Sequence, residues 1–259
     1  MIMSFTYFGL KSKEREENMN IPKAILFDLD DTILAYSEAS MLAWKKCCDE
    51  FVINNEVDFN SIELLEAVTK TREWYWSDPV RNKNGRADMK NARREVLRHA
   101  LEAFNFKNEP KIIETADSFS KMQESLWRLF DGLPDAFDIL QKNRISMAVI
   151  TNGKADIQRS KLNRFDINKY FEHVIIDSEV GVSKPDAEIY KIALHRLSLS
   201  AEEVWMIGDN LIWDVKAPQE LGIFSVWNDF ENKGLPADTD VIPDMIVNSV
   251  KEMVGRILI

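Results

Sequence analysis

A chain of 259 residues with 45% hydrophobic content can bury a substantial core, which excludes an intrinsically disordered protein. Its formal charge of −10 argues against broad adhesion to nucleic acid or an anionic membrane, because clustered Lys and Arg hold such partners, yet it leaves an anionic small molecule open. The two cysteines, Cys47 and Cys48, are neighbours for which no internal bridge is expected, a usage that suits a reducing compartment.

Residues 1–10 are apolar but short, lack a positively charged lead-in and run into the charged stretch 11–17, so they make a poor signal peptide. No later segment is long and uncharged enough to span a bilayer, and a cytoplasmic protein is expected. Met19 stands just ahead of the first strand-like run. Residues 1–18 are therefore either an ordinary arm or an upstream extension from a misassigned start, and 1–20 are set apart as an N-terminal extension.

Ala24-Ile25-Leu26-Phe27 is a short apolar run that ends abruptly in acids, as a buried parallel strand does when its carboxyl end opens onto a site. From about 37 to 130 the period becomes helical, through Met41, Leu42, Trp44 and Phe51, then Ile62, Leu64, Leu65 and Val68, then Val96, Leu97, Leu101 and Phe104, then Ile112, Phe119, Met122, Leu126 and Leu129. Four helices fit there. Gly132-Leu133-Pro134 is a breaker, after which strand and helix signals alternate. Strands are predicted at 145–150, 173–176, 204–207, 224–226 and 245–247, with helices at 135–143, 154–165, 187–197, 211–221 and 249–257. Pro218 should divide the fourth of these helices into a short turn carrying Asp214 and a second segment. Alternation at this spacing implies right-handed crossovers and a parallel sheet covered on both faces. The expected architecture is an α/β core (21–36 and 132–259) with an all-helical cap (37–131) inserted after the first strand.

Three predicted strands end in reactive or polar side chains: Asp28 and Asp30, then Thr151-Asn152-Gly153, then Gly208-Asp209-Asn210. An open parallel sheet binds its ligand at that edge. Asp28 and Asp30, two apart, point to the same side of an extended end, and close carboxylates call for a cation. Asp209 and Asp214 add oxygen donors, and oxygen donors without His or Cys favour Mg2+. Phosphoryl transfer needs an in-line nucleophile, neutralised phosphate oxygens and a proton for the leaving group. Asp28 can attack phosphorus, while Asp30 supplies that proton and later removes one from water. The Thr151 hydroxyl and the backbone N–H groups of Asn152 and Gly153 can bind phosphate oxygens, and Lys184 adds a fixed positive charge. Singly, each of these motifs is an ordinary turn or cap. Their order after alternating strands is what carries weight.

Asp28-Leu29-Asp30-Asp31-Thr32, Thr151-Asn152-Gly153, Lys184-Pro185, and Gly208-Asp209 with Asp214 resemble the four ordered motifs of the haloacid dehalogenase superfamily, over essentially all of the chain from Lys23. The resemblance implies a Rossmann-like core and a magnesium ion bound by the Asp28 and Asp209 side chains and the Asp30 carbonyl, with Asp214 supporting the metal shell. Dehalogenases of the superfamily lack the second aspartate of the first motif, so Asp30 favours a phosphatase. The insertion is similar in position to the helical cap of the branch that includes phosphoglycolate phosphatases, nucleotidases and β-phosphoglucomutase.

A magnesium-dependent phosphomonoesterase acting on a small phosphorylated metabolite is thus expected, without nucleic-acid or membrane partners. A phosphomutase, a dehalogenase and a non-catalytic phosphate-ligand sensor are the alternatives. Within the cap, Arg86, Lys90, Arg93 and Arg94 either meet a second anionic group, with Trp76 stacking on a base or sugar, or form a solvated face while Trp74 and Trp76 pack between helices. Charged helix surfaces being ordinary, the second arrangement is the expected one.

Overall fold

The computed structural model describes residues 20–258, so the extension set apart at 1–20, and with it the choice of start, lies outside the described residues except for Asn20. Six strands, β1 (Ala24–Phe27), β2 (Ser146–Thr151), β3 (His173–Ile176), β4 (Val204–Gly208), β5 (Phe224–Asn228) and β6 (Met245–Val247), form one sheet in the order β3-β2-β1-β4-β5-β6. Every pairing is parallel, and all four side chains of β1 are fully buried, which is why the strand reads as a continuous apolar run. The chain winds outward from β1 to β2 and β3, then returns to β4 on the other side of β1. Winding reverses there, and the carboxyl ends of the strands open at that switch point.

Residues 36–128 form a compact unit of their own. It holds five helices where four were expected: α1 (Tyr36–Asn54), α2 (Ser61–Ser77), α3 (Pro79–Ala87), α4 (Met89–Glu102) and α5 (Glu109–Leu126). The additional one is α3. Asp78 caps it by accepting from Arg81 N at 2.8 Å, and Pro79 sits in the first turn, where a missing N–H is harmless. Its sequence carries no apolar stripe, so periodicity alone passed over it. Trp44, Phe51, Leu64, Val68, Val96, Leu97, Leu101, Ile112 and Phe119 are buried in one cluster, with the Trp44 and Phe119 rings 4.3 Å apart. Met41, Leu42 and Ile62, placed by the helical period among the same apolar runs, are exposed instead.

The other unit comprises the sheet and the helices α6 (Leu133–Lys142), α7 (Ala155–Arg164), α8 (Ala187–Leu197) and α9 (Val250–Leu258). Phe137 of α6 meets Phe27 edge to face at 5.6 Å, while Ile189, Tyr190 and Ala193 of α8 pack with Leu26, Ile150 and Ile175. Adjacent β1 residues thus serve opposite faces. Leu34 bridges Leu129 in antiparallel fashion where the chain leaves and re-enters this unit. As Pro218 demands, the segment after β4 is divided: Leu211–Lys216 makes one wide π-type turn and Ala217–Gln219 a short α segment. No helix among the described residues is long and apolar enough to cross a membrane.

Candidate active site

Phe27 lies level with Val149 of β2 and Ile207 of β4, so the loop after β1 emerges between the ends of its two neighbours. Asp28 N donates to Ile207 O at 2.9 Å, extending the ladder by one residue and fixing the first aspartate. Asp28 is buried, and its Oδ1 accepts from Lys184 Nζ at 2.6 Å. The same ammonium donates to Asp214 Oδ1 at 2.6 Å. One buried lysine therefore ties two buried carboxylates.

Asp214 is delivered by the wide turn. Asn210 begins that turn by accepting from the N–H groups of Ile212 and Trp213 at 3.0 Å, and its own N–H donates to Asp214 Oδ2 at 3.1 Å. Gly208 makes room for this close approach, since a Cβ there would stand 2.3 Å from the Asp214 carboxyl. Asp209, partly buried, is steadied by Trp227 Nε1, which donates to its carbonyl at 2.7 Å.

Asp28, Asp209 and Asp214 each offer a carboxylate oxygen, all within 4.8 Å of one another. Such an all-oxygen donor set suits a hard divalent cation, and three carboxylates exceed what one ammonium neutralises. Burial, with repulsion from Asp214, pushes the Asp28 carboxyl up to about 7 despite Lys184. Burial and the Asp28 and Asp214 charges push Asp209 up to about 9. Burial alone would lower the Lys184 pKa, but Asp214 and Asp28 outweigh it and hold the ammonium above the usual lysine range. The cluster is short of positive charge, which is the condition a cation relieves.

The second predicted motif divides its labour in ways its sequence did not show. Thr151, at the end of β2, is buried and its hydroxyl accepts from Gln158 Nε2 at 2.7 Å. The Asn152 side chain grips the Lys184 backbone reciprocally, donating to Lys184 O and accepting from Lys184 N, both at 2.9 Å. It thereby positions the lysine. Gly153 N, expected to point at phosphate, donates to Asp177 Oδ1 at 2.7 Å instead, because the start of the Asp177–Val180 turn brings a carboxylate to it.

The Asp30 carboxylate is held by a different lysine from the one that ties Asp28 and Asp214. Lys161 Nζ lies 2.7 Å from both of its oxygens, and Gln158 Nε2 donates to Oδ2 at 3.2 Å. Lys161 also donates to Gln158 Oε1 at 2.7 Å, so α7 presents a joined amide and ammonium to this aspartate. Asp31 adopts a left-handed conformation with φ 61°, and the buried Asn228 of β5 donates to its carbonyl at 3.0 Å. Lys161, Gln158, Asp177 and Asn228 were not anticipated. The available signal was Gln158, Lys161 and Leu162 at helical spacing on the buried side of α7, where polar residues need partners.

The cap candidates separate clearly. Arg94 forms a two-bonded pair with Asp117 at 2.8 and 2.7 Å, and Lys90 joins it at 3.1 Å. Trp76 packs against the apolar cluster of the helical unit, whereas Trp74 is exposed, stacked on His99 at 4.5 Å and covered by Arg81.

Comparison with known proteins identifies the family and the fold. The sequence profile of the haloacid dehalogenase-like hydrolases matches residues 25–228. Among curated relatives, the glyceraldehyde 3-phosphate phosphatase of Methanocaldococcus jannaschii is 29% identical over 235 residues, covering 90% of this chain and 95% of that protein. The phosphoserine phosphatase of Thermus thermophilus is 33% identical over 165 residues, covering 62% of this chain and 63% of that protein. A magnesium-bound structure of the hydrolase YfnB from Bacillus subtilis shares the fold with a TM-score of 0.72 at 20% identity, covering 93% of this chain and 100% of that one. The chain belongs to the haloacid dehalogenase-like hydrolases.

Proposed function

We propose that this member of the haloacid dehalogenase-like hydrolases is a magnesium-dependent phosphomonoesterase of small metabolites, with Asp28 as its nucleophile. The observation that carries the reading is the convergence of Asp28, Lys184, Asp209 and Asp214 at the carboxyl edge of the sheet. Relatives that are phosphatases of three-carbon phosphate esters, glyceraldehyde 3-phosphate and phosphoserine, support that substrate class.

In the first half-reaction an Asp28 oxygen forms a bond to phosphorus as the ester P–O bond breaks, and Asp30 gives the departing alkoxide its proton. In the second, water attacks the aspartyl-phosphate while Asp30 takes a proton back, which releases phosphate and restores the Asp28 carboxylate. Lys184 keeps Asp28 oriented and offsets charge as it builds on the phosphoryl group. The Thr151 hydroxyl holds a phosphoryl oxygen, with Asn152 fixing the lysine loop and Gly153 allowing the tight turn beside it. Asp28, Asp209 and Asp214 would hold the magnesium ion, joined by the Asp30 carbonyl. When bound, the cation neutralises phosphate charge.

The test is phosphate release from a panel headed by glyceraldehyde 3-phosphate and phosphoserine, with magnesium, comparing the unaltered protein with Asp28→Asn. Turnover should fall by about a thousandfold or more in the variant, as expected for loss of a covalent nucleophile. Undiminished turnover would exclude the covalent route, and net isomerisation of a hexose phosphate would select the phosphomutase.

A further inference from the structure

The helical unit carries a partly open cavity of about 140 Å³ whose lining includes Ser40, Trp44, Arg72, Trp76, Arg93 and Phe119. Its size is close to the roughly 150 Å³ apolar cavity that accepts a benzene ring. Its chemistry differs, because two arginines are among its lining residues. Arg72 has Ser40 Oγ, 3.4 Å from its Nη2, as its hydrogen-bond partner. Arg93 donates to Ser120 Oγ at 2.5 Å and to Gln123 Oε1 at 3.2 Å, and its guanidinium lies 4.9 Å from the centre of the Phe119 ring.

Neither arginine has a carboxylate within ion-pair distance among the described residues, although Arg94, Arg98 and Arg128 of the same unit all do. The arrangement is costly as it stands. Burial holds the Arg72 pKa below the usual guanidinium range, the loss of hydration outweighing the opposing pull of Tyr36 and Glu73. Beside Arg93, the buried Gln123 keeps its Nε2 donor without a partner among the described residues. Trp44 and Phe119 supply an apolar wall, with their rings 4.3 Å apart and tilted by 32°.

We propose that this cavity is a binding site for a small organic oxyanion, a carboxylate or phosphate ester on a flat apolar body, gripped by Arg72 and Arg93. The planar forks of the two arginines match either oxyanion, and the aromatic wall takes the body. The site belongs to the helical unit alone and does not depend on phosphate-ester hydrolysis.

The test is calorimetric titration of the full chain with benzoate for the carboxylate source and with phenylphosphonate, which is not hydrolysed, for the phosphate source. Tryptophan emission provides a second readout because Trp44 and Trp76 line the cavity. At least one of the two anions should bind saturably and change the emission, with affinity at least tenfold lower in Arg72→Met and in Arg93→Met. Arg81→Met, which removes a guanidinium resting on Trp74 outside the cavity, should bind as the unaltered chain does. Neutral benzyl alcohol should bind at least tenfold more weakly than the better anion. Should either methionine variant fail to melt cooperatively, Arg72→Lys and Arg93→Lys keep the charge without the fork and should still lose affinity. No saturable binding of either anion, undiminished binding in the variants, or equal binding of benzyl alcohol would each overturn the site. Since phosphate release enters none of these measurements, the outcome is independent of whether the chain is a phosphatase.

Discussion

Lys161 holds both carboxylate oxygens of Asp30 at 2.7 Å, with its own side chain 3% exposed and that of Asp30 27% exposed. To serve a leaving group, Asp30 has to exchange this contact for one with substrate, so Lys161 sets where the proposed proton donor rests. Lys161→Met should lower kcat by about ten- to a hundredfold with KM little changed, the scale of a misplaced acid–base group. It should also cost about 1–3 kcal/mol of stability, less than a fully buried pair because water reaches Asp30. Lys161→Arg should recover stability more fully than kcat. Steady-state kinetics and thermal melting check both, and an unchanged kcat in Lys161→Met would remove the positioning role.

Gly208 admits the Asp214 carboxyl so closely that an added methyl would lie 2.3 Å from it. Gly208→Ala should destabilise the fold by about 1–3 kcal/mol through overpacking, and it should raise the magnesium concentration needed for half-maximal activity. Among the described residues, nothing beyond its chain neighbours and its own helix backbone lies within 4 Å of a Cβ added at Gly255 in α9. Gly255→Ala should be neutral or stabilising by about 0.5–1 kcal/mol. Parallel melts and magnesium titrations compare the two.

Asp28 and Asp209 have carboxyls raised to about 7 and about 9. A raised acid binds more protons folded than unfolded, so its contribution to stability is present at low pH and is lost as pH rises from about 4 to the folded value. In chelator the melting temperature should therefore decline from about pH 5 to about pH 9, and added magnesium should restore it more at the alkaline end. Scanning fluorimetry across that range, with EDTA and with magnesium, is the check. A flat profile in EDTA would count against the charge imbalance.

Asn228 is buried and donates to the carbonyl of Asp31, whose backbone is left-handed. Asn228→Ala and the nearly isosteric Asn228→Asp, which keeps acceptors but has no amide donor, should both cost about 1–3 kcal/mol. They should also reduce kcat, since the loop they loosen carries Asp28 and Asp30. Melting and turnover of the two variants test this, and stability retained in Asn228→Asp would show that the donor is dispensable.

Strands were legible wherever a buried run stopped at an acid or a polar triplet, because a parallel sheet hides its strands and exposes their carboxyl ends. Asp28, Lys184, Asp209 and Asp214 were brought together for that reason. Residues that act through tertiary partners were not legible. Lys161 and Gln158 look like the outer face of any helix until α7 turns them inward. Gly153 looked like a phosphate cradle until Asp177 supplied its acceptor. Among the cap arginines, Asp117 takes Arg94 and no carboxylate among the described residues takes Arg93, and the sequence spacing of the two gives no hint of that difference.

The antiparallel bridge between Leu34 and Leu129, with Ile33 O accepting from Phe130 N at 3.1 Å, closes the doorway through which the chain departs and comes back. Neighbouring endpoints of this kind let the core tolerate what is threaded between them, since a longer, shorter or wholly different insert leaves the backbone geometry on either side undisturbed. The doorway is therefore a splice point. New inserts can be tried there without redesigning the loop that carries Asp28 and Asp30, so insert and core are free to diversify at different tempos.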